Sequence, residues 1–384
     1  MNNKIIYLDN AATTYPKPEA VYRAMDEANR FYAVNAGRGS YAMARKASAL
    51  IADTKCKIRN LIHADVNIAV VFSPSITIAL NQIINGYKWK DGDCIYVSPY
   101  EHNAVARTLN YLSKKRRIII KELPLEPETN EIDLSKMKYE FSKELPAAVF
   151  CTHVSNVTGY ILPVEEIFSE SKKYGSFNVL DTAQSLGLIE IDIRKGLLAD
   201  IIAFAGHKCL YGPFGIGGYI NLSGVELDEF IVGGTGSDSL NLDMPSTGEA
   251  KYEASSSNIV AISGLNAALS ELNVAECYEH EKLLTKYLVA ELSSIDEIKL
   301  LIPYNPKKHI GIVSFIHKDM EAESVGLILD EDFGIAVRTG YHCAPYIHKY
   351  LKDENSLGTV RVGLGRFSTK EDIDQLIFAL KKMG

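Results

Sequence analysis

Apolar residues in this chain fall into short unbroken runs, and amphipathic stretches separate them. From about residue 66 the order is regular. "NIAVVF" (67–72) predicts a strand and "TIALNQIINGY" a helix. "DCIYVS" predicts a strand and "HNAVARTLNYLSKK" a helix. "RRIIIKELP" and "PAAVFCTHVS" (146–155) predict two more strands, "VEEIFSESKKYG" a helix, and "FNVLDTA", "DIIAFAG" and "IGGYINL" three further strands. Strands that are apolar at every position are buried on both faces, which suits a mostly parallel sheet covered by helices on each side. After about residue 250 the texture changes. The long helical stretch "NIVAISGLNAALSELNVAECYEHEKLLTKYLVAELSSI" leads into "IGIVSFIH", "GIAVRTG" and "GTVRVGL", three candidate strands. The pattern predicts an α/β fold with a large domain over 16–250 and a smaller α+β domain built from 1–15 with 251–384.

Composition narrows the function classes. The 384 residues are 47% hydrophobic and 23% charged, with a formal net charge of −7 and both signs interspersed. No basic patch points to nucleic acid, and no apolar run is long enough to span a bilayer. The first residues, "MNNKIIYLDN", lack a signal-peptide core, so a cytoplasmic location is expected. The six cysteines (Cys56, Cys94, Cys151, Cys209, Cys277, Cys343) contain no CxxC pair, which argues against both a metal site and a disulfide framework. Five of them read as small buried apolar side chains. Cys343 stands apart, in the polar, Gly/Pro-bounded loop "RTGYHCAP".

In an open α/β sheet, ligands sit beyond the carboxyl ends of the strands. Polar residues gather there: Ser75 and Thr77 after the first strand, then His102, Asn156, Asp181 with Gln184, and Lys208, each after its own strand. Lys208 follows the buried run "DIIAFAG". A lysine in a partly dry site has a depressed pKa, so its free amine can attack a carbonyl and form a Schiff base. Asp181 in "VLDTAQS" suits the protonated ring nitrogen of pyridoxal 5'-phosphate, although "DTAQ" also fits a helix N-cap. His102 can lie on a ring, and Asn156 and Gln184 can donate to its phenolic oxygen. Thr77 at a helix start and His207 can hold a phosphate.

"YLDNAATTYPKPEAV", "EHNAVARTL", "HVSNVTG", "VLDTAQS", "AGHKCLYGPFGIGGYI", "VRTGYHCAP" and "GTVRVGLG" resemble, in order and spacing, the class V aminotransferase family, the fold-type-I pyridoxal phosphate group that contains cysteine desulfurases and selenocysteine lyases. The likeness runs from residue 7 to the C-terminus. It implies that Lys208 carries the Schiff base, that Asp181 pairs the ring nitrogen, and that His102 stacks on the ring and is catalytic. It gives Asn156 and Gln184 to the phenolic oxygen, Asn156 also to the substrate, and Thr77, the backbone at Ile76, and His207 to the phosphate. Arg361 would clamp the substrate carboxylate, with Arg338 nearby. The family is a homodimer, so Ser256 would reach the neighbouring subunit's phosphate. Cys343 occupies the place of the family's loop cysteine, which takes sulfur from L-cysteine as a persulfide and releases L-alanine. Its thiolate would be favoured by a neighbour such as Arg338 or His342. A carrier protein for iron–sulfur cluster assembly is the usual acceptor of that persulfide.

Several positions depart from the family pattern. Ile76 and Ile78 stand in the phosphate helix, the latter in place of a glutamate. Ala205 replaces a hydroxyl residue, Ser255 and Ser256 replace Gly-Thr, and Ser368-Thr369 replaces Asn-Thr. Each lost donor to a charged phosphate removes roughly 1.5–3 kcal/mol of holding unless another group substitutes. Weaker cofactor retention is therefore expected, and stoichiometric pyridoxal phosphate after exhaustive dialysis would contradict it. Alternatives to a desulfurase acting through Cys343 are a selenocysteine lyase, a transamination or β-elimination that bypasses the thiol, and a sulfur carrier or scaffold without cofactor chemistry.

Overall fold

The structure, a computed structural model, describes residues 5–37, 39–236 and 240–383. Its first strand, β1 (Ile6–Tyr7), is followed by helices Glu19–Phe31 and Ala42–Leu61 before the regular alternation begins. β2 (Ala69–Ser73), β3 (Cys94–Val97), β4 (Ile119–Glu122), β5 (Pro146–Thr152), β6 (Phe177–Asp181), β7 (Ile201–Ala205) and β8 (Gly217–Asn221) then form one seven-stranded sheet. Its order is β2-β8-β7-β6-β5-β3-β4. Only β8 runs against its neighbours. The other six point the same way, so their carboxyl ends share one rim. All residues of β3, β6, β7 and β8 are buried, as unbroken apolar runs require.

Smaller sheets follow. β9 (Ile298–Leu301), β10 (Ile312–His317), β12 (Arg338–Gly340) and β13 (Thr359–Gly363) make an antiparallel sheet of order β12-β13-β10-β9, and β11 (Ile335–Ala336) lies parallel to β1. Their core joins Leu8 to Leu288, Phe315, Val325, Val362 and Leu376. The predicted single long helix is two, Ile259–Glu271 and Val274–Leu292, because the Asn273 side chain accepts from Glu276 N–H and starts the second. The first of the two packs on Glu19–Phe31 and Ala42–Leu61, and its Ala261, Ile262 and Leu265 join the large-sheet core. β1, β9, the two early helices and the helices Leu134–Lys143, Ala322–Phe333 and Lys370–Met383 have no counterpart among the predicted elements.

β2 is an edge strand, and charged side chains cover it. Val70 N–H donates to Glu249 and Phe72 N–H to Glu253. The buried Lys55 amine bridges both carboxylates at 2.5 and 2.7 Å. This blocks further strand pairing and fixes the segment leading into Ser255 and Ser256. Ser255 has φ +89°, a conformation that strains a residue with a Cβ.

Five histidines are held below their ordinary pKa by burial: His102 and His207 to about 3, His153 and His309 to about 4, and His342 well below. The unfolded chain takes up protons on these rings near 6.5, while the folded chain does not, so stability present above that pH is lost as pH falls. Burial lifts Glu101 and Glu281 to about 8 and also raises Asp181 and Glu253, and these four carboxyls act in the opposite sense as pH rises above their ordinary range. Nearby lysines, Lys208 and Lys55, offset part of the rise at Asp181 and Glu253, so the five histidines set the sign. The thermal unfolding midpoint is expected to fall between pH 7 and pH 5; a midpoint that rises there would contradict the neutral, buried histidines.

Candidate active site

The rim of the large sheet gathers the side chains picked out in the sequence. β7 ends at Ala205, and the chain turns at once through Gly206, His207 and Lys208. Gly206 N–H donates to Ile216 and Gly212 N–H to Gly206, which pins the turn against the entry to β8. No hydrogen bond or ion pair to the Lys208 amine exists among the described residues. Surrounding protein lowers its pKa, an effect that Asp181 partly offsets and Arg361 and Arg338 reinforce.

Asp181 closes β6, beside β7. Its Oδ1 accepts the N–H of Ala183 at 2.8 Å. A turn, not a helix, follows it, so the N-cap reading gives way to a turn cap. Oδ2 has no protein donor among the described residues. Burial raises this carboxyl, while Ala183 N–H and the Lys208 cation lower it. Each group's charge acts on the titration of the other.

His102 follows β3 and caps the helix Asn103–Ser113: its Nδ1 accepts Ala104 N–H at 3.0 Å. Accepting there places the ring proton on Nε2. Burial first, then the charges of Lys208, Arg338 and Arg361, bring its pKa to about 3, so the ring is neutral. The amide of Asn156 donates to His342 O at 2.7 Å, and that of Gln184 to Ala11 O at 2.8 Å. Each bond fixes the amide plane and leaves the second N–H of the same group to a ligand.

The anion side is built from main chain. Ser75 caps the helix Ile76–Gly86. The N–H groups of Ile76 and Thr77 find no acceptor among the described residues, and a helix start favours negative charge. The Ile76 side chain belongs to a buried cluster with Val71 and Ala205, so isoleucine is tolerated there: holding a phosphate asks only for its backbone N–H. The His207 ring stacks on Phe214 at 4.7 Å, and its buried Nδ1 has no partner among the described residues. Ser256 is exposed and meets Asn35; nothing among the described contacts joins it to the Lys208 group.

The small sheet supplies the rest. Arg338 and Arg361 face each other across β12 and β13. Arg361 is fully buried: its Nη2 donates to Asp9 Oδ1 at 2.6 Å and its Nη1 to Asn156 O at 2.9 Å. Arg338 Nη2 lies 3.2 Å from Cys343 Sγ. Cys343 and the residue before it both have positive φ, +59° and +45°. Three contacts hold that strained pair: Asn103 N–H to Cys343 O at 2.7 Å, Asn156 to His342 O, and His342 Nε2 against Thr359 Oγ1 at 2.7 Å. A cavity of about 740 Å³ opens on the Cys343 loop beside Arg107 and Arg338.

Two expectations need correction. His342 is buried and neutral, so it lends the thiol no positive charge; Arg338 is the cation at the sulfur. Of the five cysteines read as buried, Cys56 is exposed and Cys209 half-buried. The residue missed is Asp9. It lies inside the quoted "YLDNAATT", but its partner is 352 positions away in sequence.

These features fit pyridoxal phosphate. An unpaired, partly desolvated amine lies within electrostatic reach of an acid with one free oxygen and of a neutral imidazole, and unclaimed helix amides with an orphaned imidazole nitrogen suit an anion.

Comparison with known proteins agrees. Residues 6–376 match the family described as aminotransferase class-V. A probable cysteine desulfurase of Methanothermobacter thermautotrophicus is 32% identical over 382 residues, covering 97% of this chain and 92% of that protein. One from Halalkalibacterium halodurans is 33% identical, with 98% and 93% covered. The apo cysteine desulfurase of Thermococcus onnurineus superposes with a TM-score of 0.89 at 29% identity, over 99% of this chain and 94% of that one. The chain belongs to the class-V aminotransferase family. Enzymes of this family depend on pyridoxal phosphate.

Proposed function

We propose that this protein is a pyridoxal phosphate-dependent cysteine desulfurase, converting L-cysteine to L-alanine and leaving the sulfur as a persulfide on Cys343. One observation carries the reading: Cys343 Sγ sits 3.2 Å from the Arg338 guanidinium, on a loop that Asn156 ties to Arg361. The residue suited to a substrate carboxylate and the residue suited to its sulfur thus belong to one hydrogen-bonded chain.

Lys208 and Asp181 would hold the cofactor at its aldehyde and ring-nitrogen ends, His102 would cover its face, and Ile76, Thr77 and His207 would hold its phosphate. When bound, pyridoxal phosphate supplies an electron sink for charge developing at the substrate α-carbon. Arg361 holds the α-carboxylate and so fixes which bond at that carbon is exposed. The Lys208 amine, whose pKa its surroundings lower, takes the α-proton. The Cys343 thiolate attacks the substrate sulfur: an S–S bond forms, the Cβ–S bond breaks, and its electron pair stays with Cβ, which gains a proton and leaves as alanine. Arg338 then neutralises the persulfide anion.

The selenium analogue of the substrate, a shared site between two copies, and a protein acceptor for the persulfide all belong to the same proposal. Among the described residues no helix is long and apolar enough to cross a membrane. The test is product analysis. With L-cysteine and a thiol reductant, the holoenzyme is expected to form sulfide and alanine in equal amounts. Pyruvate in place of alanine would contradict the reading, because β-elimination needs no protein thiol.

A further inference from the structure

The two arginines of the small sheet are unequally served. They are directly opposed Cα partners in neighbouring strands, an arrangement of like charges that is unfavourable by itself. Arg338 has the Cys343 sulfur as its polar contact and no carboxylate within ion-pair distance among the described residues. Arg361 has one, Asp9. One carboxylate, Asp9, thus serves one of the two guanidiniums, and the Cys343 sulfur serves the other.

Hydrogen bonding leaves Arg361 with donors to spare. A guanidinium carries five N–H donors; Asp9 and the Asn156 carbonyl take two. Nε is buried without a partner among the described residues, and an unmet buried donor is costly unless a ligand satisfies it. Asp9 cannot drift with its partner. Its backbone bridges Gly363, two residues beyond Arg361, and Tyr7 donates to its carbonyl at 3.1 Å. Adjacent backbone bonds, Gly363 N–H to Leu8 and Asn10 N–H to Gly363, close the same clamp.

We propose that Asp9 is a positioning residue for substrate recognition: it holds one side of the Arg361 guanidinium so that the remaining donors form a fixed fork for the α-carboxylate of an amino acid. The inference rests on Arg361 as the carboxylate holder, but not on sulfur chemistry. A guanidinium without this anchor would turn toward the Asn156 carbonyl or be pushed by Arg338, and the fork would be lost.

The test compares Asp9→Ala and Asp9→Asn holoenzymes with the native one, titrating each with L-alanine and with ethylamine, which lacks the carboxylate, and following the cofactor absorbance. Asp9→Ala is expected to weaken L-alanine about tenfold or more and leave ethylamine unchanged. Asp9→Asn keeps an oxygen acceptor for Nη2 and removes a competing charge, so L-alanine should bind at least as tightly as to the native enzyme. Equal weakening of both ligands, no weakening in Asp9→Ala, or weakening in Asp9→Asn would each overturn the proposal. Should Asp9→Ala fail to fold, the asparagine variant decides alone. Because L-alanine carries no sulfur, these outcomes are independent of whether the enzyme desulfurates cysteine.

Discussion

Cys343→Ala is expected to cut sulfide release from L-cysteine by at least about 10³-fold, because the group that accepts the sulfur is gone and water offers no comparable nucleophile. The loss should fall on turnover rather than on binding. Cys343 touches Arg338 and the loop backbone, not Lys208 or Asp181, so cofactor content and the absorbance response to L-alanine should stay native. Folding should tolerate the change, since alanine preserves the backbone bonds that hold the loop and Cys343 is only partly buried. Sulfide release that survives in this variant would show that the thiol is a bystander and would favour elimination or transamination.

Lys208→Ala is expected to lose activity by a comparable factor or more, for a different reason. It removes the amine that bonds the cofactor and moves the α-proton, each a large contribution. Absorbance near ~420 nm, which requires a protein amine conjugated to the cofactor ring, should vanish as well. The variant should remain folded. The native amine has no protein partner among the described residues, and deleting it leaves no acceptor unmet, apart from a relieved pull on Asp181. Persistence of the band in Lys208→Ala would mean that another amine carries the cofactor. Lys17 is the nearest alternative in chemistry: it donates to His207 O at 2.8 Å, and burial lowers it to about 8.

Much of this was legible from local pattern. Apolar runs located the seven strands of the large sheet to within a few residues, because full burial on both faces leaves a strong signal. Direction did not show: "IGGYINL" reads the same parallel or antiparallel, and β8 reverses because a short connection after Lys208 brings it back beside β7. The helices before residue 66 were missed, since much of their surface is exposed and their apolar positions are sparse. Site residues that follow a strand could be placed from sequence, as topology puts strand ends on one rim. Pairings across hundreds of residues could not, and Asp9 with Arg361 is the clearest case. His342 misled for a related reason: its charge depends on burial that no motif encodes. Ile76 looked like a defect in the phosphate helix, but its side chain belongs to the core and its amide at the helix start is unclaimed among the described residues.

The most direct measurement is a single turnover of holoenzyme with L-cysteine in the absence of reductant, followed by intact mass and peptide mapping. The account predicts one alanine released per site, with the mass of one sulfur atom added to the peptide carrying Cys343 and removed again by a thiol reductant. Alanine or pyruvate released with Cys343 unmodified, or the added sulfur found on Cys209 or Cys56 instead, would contradict it.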